Sequence, residues 1–305
     1  MDNNKIPHIP VLFNEVIDIF KDLKDGYIVD CTLGYGGHSL GILESNPNIS
    51  MICNDQDDEA LNFSKNRLKE HSDRIIFSKG NFSEVISRYK DKNIVGILAD
   101  IGVSSLQLDK QERGFGFNSP TLDMRMDQNQ SLSANDVVNH YPQSKLEYIF
   151  KEDGEVKEYK KLASLIVQNR PFHSSKDLAD FISNNMHKGK LHPATLPFQA
   201  IRIEVNNELG VLEELFDQIE QAELKDTTVA IISFHSLEDR IVKNRFKKWS
   251  QKCICPPHLD RCECGSNNQL GKIVTKKPII PTKDEIKQNS RSRSSKMRVF
   301  KFEQH

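Results

Sequence analysis

The sequence predicts an α/β fold, an open and mostly parallel sheet of the nucleotide-binding kind with a helical insertion. Three observations predict it. First, the short apolar run Tyr27-Ile28-Val29 ends in Asp30, and the turn Gly34-Tyr35-Gly36-Gly37-His38 follows, then a helical stretch from Ser39. Second, three separate β-rich runs end in an aspartate, at Asp30, Asp55 and Asp100. Third, the strand–helix alternation stops near Leu108 and resumes after Asn206.

The elements follow in order. Residues 8–12 carry a proline and read as extended. Residues 14–23 place Val16, Ile17, Ile19, Phe20 and Leu23 at helical spacing. The first strand leads into the glycine turn, where glycine permits φ > 0 and close backbone approach to a ligand. The helix start behind it offers N–H groups to a polar group. The turn alone is a weak signal, because Gly-x-Gly-Gly is not the dinucleotide fingerprint. Residues 49–55 form the second strand. Asp55 stands about twenty residues past the turn, the interval at which a carboxylate accepts from a ribose diol. Residues 59–69 read as a helix and 74–77 as the third strand. Phe82 then stands after a strand end, where it either stacks on an adenine or packs in the core. Residues 94–100 are the fourth and most apolar strand, suited to the sheet centre. One carboxylate at a strand end is ordinary. Three of them beside a glycine turn mark the crevice at the carboxyl edge of such a sheet.

Residues 108–206 contain ordered-loop segments (113–117 and 122–127) and helical runs at 133–141, 143–150, 156–169 and 174–186, with another after His192-Pro193. They read as an inserted all-helical subdomain between a first part, 1–107, and a second part, 207–305. After it come an amphipathic helix at 208–222, a fifth strand at 227–234 and a basic helix at 241–249. Strands at 271–280 and 297–302 follow, joined through a helix at 282–288. Seven strands with a late, helix-poor pair fit a class I methyltransferase (Rossmann-like) sheet better than a six-stranded dehydrogenase sheet.

Composition bounds the setting. The 305 residues are 37% hydrophobic and 28% charged, enough for one large core plus an inserted unit. No apolar run reaches transmembrane length and no signal-peptide pattern opens the chain, so a cytoplasmic protein with no membrane partner is expected. In that compartment six cysteines point to free or metal-bound thiols before disulfides. Net charge is −1, which excludes a global polyanion-binding signature. Residues 240–305 nevertheless hold 17 Lys and Arg against 5 Asp and Glu. That end reads either as a surface for phosphates or as a solvated basic face.

Six ordered blocks now carry a specific resemblance: DCTLGYGGHS, LADIGVSSLQLD, RGFGF, LDMRMD, HPATLPFQAIRIEVNNEL and ISFHSLEDRIVK. Together they resemble the bacterial MraW/RsmH family of S-adenosylmethionine-dependent ribosomal RNA methyltransferases, over essentially the whole chain. The resemblance implies N4-methylation of a cytidine in the decoding centre of 16S rRNA, with the small ribosomal subunit as partner. It implies cofactor contacts at Gly36, Gly37, His38, Asp55, Phe82, Asp100 and Gln107. Two departures stand out. The second strand ends Asn54-Asp55-Gln56-Asp57, which leaves Asp57 as an alternative ribose acid, and Tyr35 occupies a turn position often filled by Arg or Leu, where it is expected to alter the wall of the site.

The implied reaction is in-line methyl transfer from a sulfonium to an exocyclic amine whose lone pair is delocalised into the ring. A site assists by alignment and by accepting a hydrogen bond, then a proton, from that amine. The chain lacks the Pro-Pro-Tyr loop common in DNA amino-methyltransferases. Asp100 is the candidate catalytic acceptor, its alternative being cofactor binding alone. His235 reads as a general base or as a structural histidine of its turn. Arg202, Arg240, Arg291 and Arg293 are candidates for phosphate contact, Arg202 alternatively for an interdomain ion pair. Cys253, Cys255, Cys262 and Cys264, with His258 between them, are candidate ligands for a structural zinc, against free thiols or a disulfide. Cys31 and Cys53 read as packing. A homodimer is compatible with the sequence, but no feature demands one. Two other functions compete: a nucleotide-dependent oxidoreductase on a similar sheet, and a ribosome-assembly RNA-binding factor without turnover.

Overall fold

The structure is a computed structural model that describes residues 10–187, 189–256 and 261–303. The start of the extended segment at 8–12, and His258, lie outside the described residues. The chain divides into two compact units, residues 1–102 with 211–305, and residues 103–210.

The first unit is built on seven strands: β1 (Gly26–Asp30), β2 (Ile49–Asp55), β3 (Ile75–Lys79), β4 (Ile94–Asp100), β5 (Thr228–Ser233), β6 (Gly271–Ile273) and β7 (Lys296–Phe302). Their order is β3-β2-β1-β4-β5-β7-β6. The first five run parallel, and β7 is antiparallel to both β5 and β6. This is the class I methyltransferase sheet that the strand count predicts. The order reverses between β1 and β4, so the switch-point crevice lies at the carboxyl ends of these two strands. Every residue of β5 is buried, as a central strand covered on both faces requires.

Alternate strand residues feed two cores. Helices α1 (Phe13–Phe20), α2 (Gly37–Ser45) and α3 (Asp58–Arg67) cover one face, packing Phe20, Ile42 and Leu61 with Ile28, Met51, Leu98 and Ile232. The other face buries Val29, Ile52, Ile97, Ile231 and Phe300. A short α4 (Val85–Arg88) adds Val85 and Ile86 to that face.

The second unit carries α5 (Ser105–Asp109), α6 (Ala134–His140), α7 (Gln143–Glu152), α8 (Tyr159–Gln168), α9 (Ser175–Asn185) and α10 (Thr195–Asn206). Ser133 and Ser174 are N-caps, each accepting from the third residue of its helix. The helices share a core of its own, including Leu146, Phe150, Leu162, Ile182 and Ile201. The segment 122–127 is the ordered loop expected. Asp123 binds Arg125 in a bidentate pair at 2.8–2.9 Å, and buried Arg113 donates to the carbonyls of Arg125 and Met126. Gly114 is required here. Its φ is +80°, and a Cβ would stand 2.5 Å from the backbone nitrogen of Asp123.

The division between the units falls inside the next helix, α11 (Glu208–Gln221). From Val211 onward α11 belongs to the sheet unit, and with α12 (Ser236–Trp249) it covers the second face. Helix α13 (Lys283–Gln288) precedes β7. The sixth strand is shorter than the run 271–280 predicts. Beyond Ile273 the regular ladder stops: Val274 and Thr275 still bond to Val299, and an isolated bridge joins Ile279 to Met297. Pro278 has no N–H to place in the ladder, and its neighbours Lys276 and Lys277 favour solvent.

Candidate functional site

The carboxyl edge of β1, β2 and β4 gathers the three aspartates within the first unit. Asp30 is buried, accepting from Ser39 Oγ at 2.6 Å and from the Thr32 N–H at 3.2 Å. Burial lifts its carboxyl to about 6. Asp55 latches the glycine turn. Its Oδ2 accepts from the Gly34 N–H at 2.8 Å and its Oδ1 from the Asp57 N–H at 2.9 Å. Burial lifts Asp55 to about 6 as well. Asp57, the alternative ribose acid, is engaged elsewhere as the N-cap of α3, accepting from the Glu59 N–H.

Asp100 is the least compensated of the three. Its backbone N–H donates to Thr32 Oγ1 at 2.7 Å, which fixes the end of β4 against the segment after β1. Its Oδ1 is buried and has no hydrogen-bond partner among the described residues. Burial first, then the charges of Asp30 and Glu238, push its carboxyl to about 8. His38 lies nearby, Nδ1 standing 3.9 Å from Asp100 Oδ2. It does not supply a counter-charge. His38 Nε2 is 2.9 Å from the carbonyl of Val11, which can only accept, so the proton sits there and Nδ1 is a bare lone pair. Burial holds this imidazole down at about 4, so it stays neutral.

The turn itself is built by glycine. Gly34 and Gly36 have φ of +51° and +71°, Gly36 being the N-cap of α2. A Cβ on Gly37 would stand 2.4 Å from Pro10 Cγ. Tyr35 turns its ring edge-on to Phe63 of α3, centroids 4.7 Å apart, and its carbonyl accepts from Arg67. Phe82 is half-buried and packs against the second-face core, after Asn81 has capped the short turn by accepting from the Ser83 N–H. Gln107 belongs to the other unit. There its Oε1 accepts from the Ser104 N–H and its own N–H donates to Ser104 Oγ, a reciprocal cap at the start of α5.

Two supporting residues escaped sequence reasoning. Asn54 is fully buried at the end of β2 and donates to the carbonyls of Cys31 and Gly80, tying three strand ends together. Its Oδ1 is a second buried acceptor without a partner among the described residues. Thr32 is the other. A buried amide inside an otherwise apolar strand is the signal that could have found Asn54. Cys31 and Cys53 are buried and their thiols are pushed up by burial, so they pack and stay protonated.

Of the remaining candidates, His235 caps α12. Its Nδ1 accepts from the Glu238 N–H, while Glu238 Oε2 accepts from the N–H groups of Phe234 and His235. Arg202 forms a bidentate pair with Glu208 at 2.7 and 2.9 Å, inside the second unit. The basic C-terminal region is partly neutralised. Arg245 pairs with Glu213 and Asp217, Lys248 with Glu220, and Arg298 and Lys296 with Asp239. The four later cysteines do converge, and none is in a disulfide.

A cationic ligand fits this edge. Three carboxylates are gathered there, no Lys or Arg among the described residues pairs with any of them, and one buried oxygen awaits a donor. S-adenosylmethionine, with its sulfonium and ammonium groups, has that chemistry.

Comparison with known proteins agrees. The profile described as the MraW methylase family matches residues 5–303. The chain is 72% identical over 298 residues to the ribosomal RNA small subunit methyltransferase H of Aliarcobacter butzleri, covering 98% of this chain and 99% of the relative. It is 56% identical over 302 residues to the protein of that name from Sulfurimonas denitrificans, covering 97% and 98%. No helix among the described residues is long and apolar enough to cross a membrane.

Proposed function

The chain belongs to the MraW methylase family, and from that premise we propose that it transfers a methyl group from S-adenosylmethionine to N4 of a cytidine in the decoding centre of 16S rRNA. The observation that carries the reading is the uncompensated carboxylate edge at the β1/β4 switch point, with the buried, unpartnered Oδ1 of Asp100 at its centre. Membership of a methylase family removes the oxidoreductase reading. The cofactor supplies the electrophilic methyl group.

The residues of this chain do the rest. Asp100 offers a hydrogen-bond acceptor to the ammonium group of the cofactor or to the amine of the target base. At about 8 it is also basic enough to hold a proton near neutral pH. Asp55 holds the glycine turn in shape through Gly34 and keeps lone pairs for a ribose diol. Gly36 and Gly37 keep the turn free of side chains, and Phe82 flanks the adenine end. His38, neutral and anchored on Val11, shapes the wall beside Asp100 without adding charge. Gln107 enters by its sequence block alone. The inserted helical unit is assigned to substrate recognition, with the RNA in the small ribosomal subunit as partner and the cytoplasm as the place of action.

The test is transfer from labelled S-adenosylmethionine to undermethylated small subunits, with the nucleoside identified by mass spectrometry. N4-methylated cytidine is expected. A cofactor-loaded protein that methylates neither subunits nor free RNA would remove the substrate assignment and favour an assembly factor without turnover. His235→Ala separates a cap from a base in the same assay. Loss of the cap costs about 1 kcal/mol of stability, and the transfer rate at saturating cofactor is expected to hold. A fall of about 100-fold or more would instead make His235 a participant in proton transfer.

A further inference from the structure

Between α12 and β6 the chain makes an excursion that neither the sheet nor the proposed reaction explains. Its two ends are pinned together. Leu270 N–H donates to the Trp249 carbonyl at 2.8 Å and Asn268 N–H to the Lys252 carbonyl at 3.1 Å. Cys253, Cys255, Cys262 and Cys264 all stand on this hairpin, as two Cys-x-Cys pairs. Their four Sγ atoms lie within 4.8 Å of one another. Three of the separations are 3.6 Å (253 to 262), 3.6 Å (262 to 264) and 3.7 Å (264 to 253).

Those lengths discriminate among the three readings of the cluster. A disulfide needs about 2.05 Å. A tetrahedron of sulfurs at about 2.3 Å from a central zinc has edges of about 3.8 Å. Pairs of free thiols reach such lengths through S–H···S hydrogen bonds, but a hydrogen bond joins two sulfurs at a time and gives no reason for four to gather within 4.8 Å. The backbone supports the same reading. Cys255 Sγ accepts from the N–H groups of Glu263 and Cys264 at 3.3 Å each, and Cys264 Sγ from the Ile254 N–H at 3.4 Å. N–H donors aimed at sulfur stabilise thiolates and offset the net negative charge of a four-thiolate site. Gly265 and Ser266, with φ of +75° and +52°, turn the chain directly after the second pair.

We propose that Cys253, Cys255, Cys262 and Cys264 bind one Zn²⁺ as a closed four-thiolate structural site. Binding displaces the thiol protons and involves no redox step. Four protein ligands leave no open position, which makes the metal structural and not catalytic. Its place in the fold agrees. The hairpin hangs from Trp249 and Leu270, and Glu303 N–H donates to Leu270 while Phe302 N–H donates to Thr227. Thr227 precedes the first residue of β5, so the hairpin is rooted at the edge of the sheet opposite Asp30, Asp55 and Asp100.

The test uses the full-length protein, expressed with zinc and purified under reduction without chelator. Elemental analysis is expected to give one zinc per chain, and Cys253→Ser/Cys262→Ser none. Replacing zinc by Co²⁺ in the wild-type protein is expected to produce the thiolate charge-transfer and visible bands of a tetrahedral site, an outcome independent of how the variant folds. Protein that emerges without zinc, takes up cobalt with no such bands, or shows the four cysteines paired as disulfides by mass spectrometry overturns the proposal.

Discussion

Asp100→Asn is expected to weaken S-adenosylmethionine binding by about 10- to 100-fold, the range for losing one charge-assisted hydrogen bond. The wild-type affinity is also expected to depend on pH, with a predictable sign. In the unliganded fold Asp100 is raised to about 8, because it is buried beside Asp30 and Glu238. An unfolded aspartate ionises near 4. The folded state therefore holds a proton that the unfolded chain has already released. The stabilisation from this protonation is full below about 4 and is lost as pH rises to about 8. A cationic ligand reverses the preference, since it needs the ionised carboxylate. Affinity should fall by up to about tenfold per unit as pH drops below 8. In the Asn variant that slope should disappear between pH 7 and 8. Isothermal titration across this range measures both effects.

The same variant separates the two roles open to Asp100. Weaker binding with a normal rate at saturating cofactor makes it a binding residue. Normal binding with a rate lowered about 10²- to 10⁴-fold makes it the acceptor of the amine proton. Normal binding together with a normal rate would remove Asp100 from the site.

Trp249→Ala is expected to cost about 3–5 kcal/mol, the range for truncating a large buried aromatic. Trp249 is the chain's single tryptophan and is 1% exposed. It packs at ring-centroid distances of 5.0–5.7 Å against Phe216, Phe246, Phe300 and Phe302, which come from α11, α12 and β7. Its indole N–H donates to Glu220 at 3.1 Å, so truncation also strands a partner. The packing joins the antiparallel end of the sheet to the two helices that cover it, and cooperative loss there should lower the melting temperature by roughly 6–20 °C. Calorimetry reads the shift. A drop of only a degree or two would mean that the aromatic cluster is not part of the stabilising core. Because no other tryptophan is present, native fluorescence follows the unfolding of this cluster in the wild-type protein.

How much was legible follows from the range of the forces involved. Local pattern was enough for the seven strands, because an apolar run with a turn on each side has few alternatives. It was enough for the helix starts at Ser133 and Ser174, where the structure shows a short polar side chain meeting the first N–H groups of its own helix. The end of β6 was less legible, since pairing after Ile273 depends on whether β7 remains within reach. Asp57 and Asp55 looked interchangeable in the sequence. In the fold Asp55 accepts from the Gly34 N–H, a contact 21 residues apart that no local pattern shows, while Asp57 caps the helix beginning beside it.

By itself the sequence determined the sheet, the glycine turn, the aspartates at three strand ends and the six blocks that mark the family. These are properties of neighbours along the chain, or of ordered motifs. The tertiary structure alone decided which charges are compensated. Asp30 finds a donor in Ser39 on α2 and Asp55 one in Gly34 of the turn, Asp100 keeps a buried oxygen without one, and His38 is held neutral by burial while a carbonyl 27 residues away fixes its tautomer. It also paired Arg202 with Glu208, set His235 at the start of α12 as its cap, and brought four cysteine sulfurs within 4.8 Å of one another. Burial and hydrogen bonding depend on distances through space, and those exist only once the chain has folded.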